Sequence, residues 1–396
     1  MKSIFSNLLF RVFLAIILGI VFGLYLPESI NRIFTTFNTV FGQFLNFAIP
    51  LIILGLIMPA ISDLGKGAGK LLLLTAAIAY GSTLFSGFMT YFSASNIFPS
   101  LLESHANAAA NVTETGKQLE PYFSITIPPA LDVMSALVLS FLIGLGLAYQ
   151  EKSSLKLVVK DFQTIIMQLI EKVIVPLLPL FILGIFTSMA YSGQVYSILS
   201  VFVNIIGVIF ALHILLLILQ YIIASFFARK NPFKLLLNMM PAYFTALGTQ
   251  SSAATIPVTL EQVQKNGVSE KIAGFVVPLC ATIHLSGSIM KITACAMALM
   301  ILNGMPFSFS LFAGFIFMLG VAMIAAPGVP GGAIMAATGV LQSMLGFNEE
   351  MLGLMIALYI AMDSFGTACN ITGDGAISLV INKITKQQKI TVDNVN

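Results

Sequence analysis

Stretches of twenty or more residues almost free of charge recur along this chain, and they leave it few places to fold other than a lipid bilayer. Apolar runs fall at about 8–27, 33–61, 70–98, 127–149, 155–191 and 197–228. Two more, each interrupted by polar residues, fall at about 269–302 and 350–384. At ~1.5 Å of rise per residue, about 20 residues of helix cross the ~30 Å hydrocarbon layer. The runs lack the dyad alternation of a transmembrane barrel. Only 9% of the 396 residues are charged and mean hydropathy is +0.98, whereas a soluble domain carries about a quarter charged residues. The N-terminal MKSIFSNLLFRVFLAIILGIVFGLYL ends at LPES without a small-residue cleavage pattern, so it reads as a first membrane helix rather than a signal peptide. The net charge of +3 is spread among loops, which gives no nucleic-acid surface. Membrane lipid is the surrounding partner. Cys280, Cys295 and Cys369 stand in apolar surroundings at no motif spacing and read as small core residues.

The region 232–384 behaves differently from the rest. LLLNMMPAYFTALGTQSSAATIPVTLEQV and LFAGFIFMLGVAMIAAPGVPGGAIMAATGVLQSML are apolar at both ends and broken mid-way by small, Pro- or Gly-rich residues. Each half is too short to span. Irregular backbone at membrane depth persists only where protein or a water-filled cavity satisfies it, so each stretch reads as a re-entrant hairpin. Each precedes one polar-interrupted helix, and paired interrupted segments are the mark of an inverted-repeat transporter with its site near the midplane. The expected fold is an all-α membrane protein of eight transmembrane helices plus two re-entrant helical hairpins.

Basic residues near the N-terminus and within 66–70, 152–160, 229–234 and 383–389 fall on one side if the N-terminus is inside. The opposite loop, 99–126, holds Glu103, Glu114 and Glu120 against Lys117. Positive-inside bias then puts both termini in the cytoplasm of a multi-pass protein of the cell's inner (plasma) membrane.

The segment MDSFGTACNITGDGA places Asp363, Thr367, Asn370 and Asp374 at i, i+4, i+7 and i+11 within an apolar helix. Eleven residues make about three turns, so the four share a face. A charge at mid-bilayer costs ~2.5–3.5 kcal/mol on insertion scales, and this stripe calls for cations or donors opposite it. An intramembrane aspartyl protease fails on geometry, because Asp363 and Asp374 lie ~16 Å apart along a continuous helix and cannot share a proton. GVPGGA lacks the lysine and soluble strand of a phosphate loop. No nucleophile–base–orienter set appears, so an enzyme is not expected.

Together, QSSAATIPVTL, PLCATIHLSGS, APGVPGGAIM and DSFGTACNITGD resemble the dicarboxylate/amino acid:cation symporters, the glutamate-transporter family. The likeness runs in order through 232–384. It implies a homotrimer whose transport domain (about 70–98 and 197–384) slides as an elevator against a scaffold (about 8–61 and 127–191). The chain then divides into 1–69, scaffold helices 1 and 2; 70–126, helix 3 and an extracellular loop; 127–196, scaffold helices 4 and 5; and 197–396, the transport-domain core. The 309–346 hairpin would be the extracellular gate and the 232–267 hairpin would lie on the cytoplasmic side.

By the same resemblance, Ser251 and Ser252 match the first hairpin tip, which holds the substrate carboxylate. Gly328, Val329, Pro330 and Gly331 match the second tip, whose backbone closes over it. Asn370 matches an asparagine that bonds the same carboxylate, Asp363 the aspartate that takes the α-amino group, and Thr367 its neighbour. Asp374 matches a sodium-binding aspartate, with carbonyls near Cys280, His284 and Asn370 completing that site.

The departures carry their own expectations. Members for acidic substrates commonly bear an arginine where this chain has Gly366, so a neutral amino acid is the expected substrate. The family's NMDGT break reads His284-Leu285-Ser286-Gly287-Ser288, and its sodium-binding aspartate has become Ser286. Tyr80 and Thr83 fit the partner positions of that site, but a hydroxyl is a poorer ligand for a hard cation than a carboxylate. Fewer sodium ions are therefore expected per substrate. His284 could couple protons instead, which makes H+ the alternative to Na+. Lys291, two turns beyond His284, could pair with Asp363 or with a substrate carboxylate. The reading is a cation-coupled importer of a neutral amino acid. Its rivals are a carrier of acidic amino acids or dicarboxylates with Lys291 in place of the arginine, and an ion channel.

Overall fold

The computed structural model describes residues 8–63, 70–113, 119–150, 153–193, 195–326 and 330–388. All regular structure among them is helical. Helices α1 (Leu8–Tyr25), α2 (Glu28–Asp63), α3 (Lys70–Thr113), α4 (Val133–Ala148), α5 (Ser154–Tyr191) and α6 (Val195–Ala228) come first. The hairpins and interrupted helices then follow in the expected order.

The first hairpin is α7 (Pro232–Asn238), α8 (Met240–Thr249) and α9 (Ser252–Lys265). Asn231 starts it by accepting from the Phe233 and Lys234 amides, with Pro232 in the first turn, where no amide partner is lost. At the break, Gln250 takes a left-handed conformation (φ 54°) and Ser251 caps α9 through the Ala254 amide. The QSS of the sequence is thus a helix stop and a helix start in three residues.

The second hairpin is α12 (Phe309–Ile324) and α13 (Gly332–Leu345), begun by a Ser308 cap and ended by left-handed Gly346. Between the hairpins lies a helix broken at His284–Leu285, with halves α10 (Glu270–Ile283) and α11 (Ser286–Leu302). Last come α14 (Glu349–Ala361) and α15 (Asp363–Gln388).

Among the described residues, six helices are long and apolar enough to cross a membrane, and the pair α14–α15 makes a seventh if read as one bent span. The eighth expected crossing, α4, is helical over only 16 residues. Pro128 and Pro129 fall within the expected run, and the helix begins only after Asp132, which caps it through the Ser135 amide. Two further expectations need correction. Residues 99–113 are not loop but the end of α3, because SHANAAANVT is rich in alanine, the strongest helix former. The run 350–384 is not one straight helix: α14 and α15 meet at 62°.

The broken helix is central, with 83% of its apolar window buried, whereas α1 buries 28%. The large apolar side chains Val21 and Leu24 of α1, Leu142 of α4 and Ile214 of α6 point outward, as lipid-facing residues do. All three cysteines are buried free thiols. Both arms of the first hairpin, the broken helix and α6 pack against α15, which puts the polar stripe inside the most enclosed part of the molecule.

Candidate functional site

Helices α11 and α15 run antiparallel through this centre, and their polar residues meet in three steps. At one end, Lys291 of α11 lies 3.6 Å from Asp363. In the middle, the Gly287 amide donates to Asn370 Oδ1 at 2.7 Å, and Asn370 donates to Ser288 Oγ at 3.2 Å. At the other end, His284 Nδ1 lies 2.8 Å from Asp374 Oδ1. Each acidic group of the stripe therefore has a basic group of the broken helix opposite it.

Glycines make these approaches possible. A Cβ at Gly366 would overlap Lys291 Nζ, and one at Gly373 would come within 2.7 Å of His284 Cε1. The two glycines stand seven residues apart, as do the two basic side chains, so the spacing of two helical turns repeats on both partners.

Lys291 is 1% exposed. Its ammonium donates to the Met362 carbonyl at 3.1 Å and sits 3.8 Å from the Tyr359 ring centroid. The other oxygen of Asp363 accepts the Gly331 amide at 2.9 Å, which ties the start of α13 to the stripe. Thr367 turns its hydroxyl back to the Asp363 carbonyl at 3.1 Å.

Around Asp374 the arrangement is a chain of donors. Gln220 of α6 donates to Ser82 of α3 at 3.2 Å, and Ser82 contacts His284 Nε2 at 3.1 Å. Where Asp374 is ionised it only accepts, and the His284 Nδ1–H is then the donor to it. The second oxygen of Asp374 is buried and, among the described residues, has no hydrogen-bond partner. An unanswered carboxylate oxygen at this depth suits a cation. The Cys280 carbonyl, one turn before His284 in the same helix, accepts the His284 amide at 2.9 Å.

Ser286 is answered differently from expectation. Gln220 donates to its hydroxyl at 3.2 Å and Ser86 to its carbonyl at 2.7 Å. Tyr80 instead reaches the Phe317 carbonyl, and Thr83 bonds back to Ala79 in its own helix. Ser251 caps α9 and Ser252 is buried beside it. Neither hydroxyl bonds to the stripe among the described residues, although their hairpin packs on α15. Gly328 and Val329 lie outside the described residues.

Sequence reasoning missed Gln220, Ser82 and Tyr359. Gln220 carried a readable signal, since LHILLLILQYII sets one amide, with one imidazole two turns before it, among aliphatic residues, and such polar groups seldom face lipid. Ser82 and Tyr359 carried none, because serine and tyrosine are ordinary in membrane helices.

The sodium:dicarboxylate symporter family model matches residues 8–384. Excitatory amino acid transporter 3 of Mus musculus is 34% identical over 166 residues, which are 42% of this chain and 32% of that protein's length. Excitatory amino acid transporter 2 of Homo sapiens is 25% identical over 66% of this chain and 47% of its own. The serine/threonine transporter SstT of Acinetobacter baumannii is 25% identical over 395 residues, 96% of this chain and 98% of that one. With a match running from the first described helix to the end of the polar stripe, the chain belongs to the sodium:dicarboxylate symporter family, a family of transporters and not of enzymes.

Proposed function

We propose that this protein is a secondary-active symporter that imports a neutral amino acid together with sodium. The observation that carries the substrate class is the buried Lys291–Asp363 pair over Gly366. One anion and one cation leave the site electrically balanced, so a net-zero zwitterion enters and leaves it balanced. Asp363 would take the α-ammonium, while Asn370 and the hydroxyls of Ser251 and Ser252 take the carboxylate. A dianion would add charge that nothing in the pair offsets, and burying unpaired charge is costly. The name of the full-length relative, a serine/threonine transporter, agrees with this reading.

The unanswered oxygen of Asp374 supports sodium as the coupled ion, with carbonyls of Cys280, His284 and Asn370 as its companions. The neutral Gln220–Ser286 contact supports a reduced complement, since it fills with hydrogen bonds what the resemblance assigned to a further cation. Hydrogen bonds from Gln43 and Asn46 of α2 to Glu349 of α14, and from Gln342 of α13 to Asn46, form a polar seam that supports an elevator in which 8–61 and 127–191 stay while 70–98 and 197–384 move. The homotrimer, the inward-facing termini and the plasma-membrane location complete the proposal.

A second reading has its own observation. The Lys291 ammonium stands where a side chain at 366 would begin, so it could serve a second substrate carboxylate. Competition against labelled serine uptake in proteoliposomes separates the two. Alanine, serine and threonine are expected to compete, and aspartate and succinate to fail. Aspartate competing at lower concentration than serine would overturn the neutral reading.

A further inference from the structure

A carrier that brings a solute in must also return empty, and the empty site here holds a buried carboxylate. We propose that Lys291 is the internal counter-cation of the empty carrier, occupying Asp363 whenever substrate does not and so permitting the unloaded return. The inference rests on the proposed function, in which Asp363 receives the substrate ammonium.

The geometry supports it in three ways. First, among the described residues the Gly331 amide donates to one Asp363 oxygen at 2.9 Å and the Lys291 ammonium stands 3.6 Å from the other, with the Tyr359 hydroxyl also beside the carboxylate. The ammonium partner is longer than a hydrogen bond, so it offers charge without a fixed bond that a ligand would have to break. Second, Lys291 keeps two partners that do not depend on Asp363, the Met362 carbonyl at 3.1 Å and the face of Tyr359 at 3.8 Å. When a substrate ammonium takes Asp363, the lysine therefore remains held. Third, Gly366 is the space that allows this position, and a side chain there would push the ammonium away. Lys291 is thus fixed by its surroundings next to Asp363, and the side chain is too deeply buried to reach water.

The consequence concerns the transport cycle. Without the lysine, the loaded site still sets the substrate ammonium against Asp363 and the substrate carboxylate among neutral donors, whereas the empty site leaves Asp363 with no cation beside it. Removing one partner of a buried pair is strongly unfavourable. A neutral residue at 291 should then convert a net importer into an exchanger, able to move only when loaded.

The test uses the full-length protein in proteoliposomes with labelled serine. Wild type is first measured for net uptake into serine-free vesicles and for exchange into serine-loaded vesicles. If wild type does neither, the proposed function has failed, and this inference with it. For Lys291→Met, the ratio of net uptake to exchange is expected to fall at least about tenfold below that of wild type, whatever both rates lose together. Lys291→Arg is expected to restore net uptake in part, because it restores the charge. As a folding control, added serine should raise the melting temperature of Lys291→Met more than that of wild type. Equal loss of net uptake and exchange in a folded Lys291→Met, or retention of both, would overturn the inference while leaving the substrate assignment standing.

Discussion

At the scale of single residues, two carboxylates in one helix do different work because their neighbours differ. Asp363 faces a lysine and an amide, whereas Asp374 faces a histidine and, among the described residues, has one oxygen without a hydrogen-bond partner. Asp374→Asn should therefore lower the sodium dependence of uptake, shifting the half-saturating sodium concentration up at least about tenfold, since an amide is a weak substitute for a carboxylate at a hard cation. A sodium titration of serine uptake measures this, and an unchanged midpoint would move the ion elsewhere. Asp363→Asn should raise the apparent KM for serine by about a hundredfold, matching the loss of ~3 kcal/mol from a buried charge pair. The sequence made both aspartates legible, because charge in an apolar run must be answered. It did not reveal how they are answered. The partners Ser82 and Gln220 come from helices whose sequence reads as lipid-facing span, and only packing brings them to His284.

At the scale of elements, the site depends on α11 and α15 lying close enough for basic side chains to cross glycines. Gly366→Ala puts a methyl group into Lys291 and should destabilise the protein by ~1–3 kcal/mol, the cost of overpacking, with net uptake reduced alongside. Thermal unfolding with parallel uptake assays would register both, and a neutral Gly366→Ala would mean that Lys291 does not need its position. The hairpins were legible because QSS and the Pro/Gly-rich break interrupt apolar arms too short to span. The ends of α3 and the bend of the last helix were not. A window tuned to hydrophobicity stops where alanine and asparagine replace leucine, although the helix continues to Thr113. The 62° bend falls at Met362, whose carbonyl accepts both the Gly366 amide and the Lys291 ammonium at 3.1 Å, and the second of these partners comes from a distant helix that no local pattern records.

At the scale of the whole molecule, the proposed scaffold and transport units meet through a polar seam within apolar surroundings. Glu349 at the start of α14 accepts from Gln43 and Asn46 of α2 at 3.3 and 2.9 Å, and Gln342 of α13 donates to Asn46 at 2.9 Å. Hydrogen bonds to a charged group contribute ~1.5–3 kcal/mol, enough to hold one arrangement of the two units over another. Asn46→Ala should change the maximal uptake rate severalfold while leaving the serine KM close to wild type. A change confined to KM would place the seam within substrate binding instead. The elevator itself is tested by the same logic, because a contact between units that slide must break in each cycle.

The decisive experiment is accumulation of labelled serine in proteoliposomes under a sodium gradient and, separately, under a proton gradient of equal driving force. Accumulation with sodium alone is the expected result and would make Asp374 and its carbonyls the ion-coupling centre. Accumulation with protons alone would contradict the account, moving the coupling to the His284–Asp374 pair and removing sodium from the cycle.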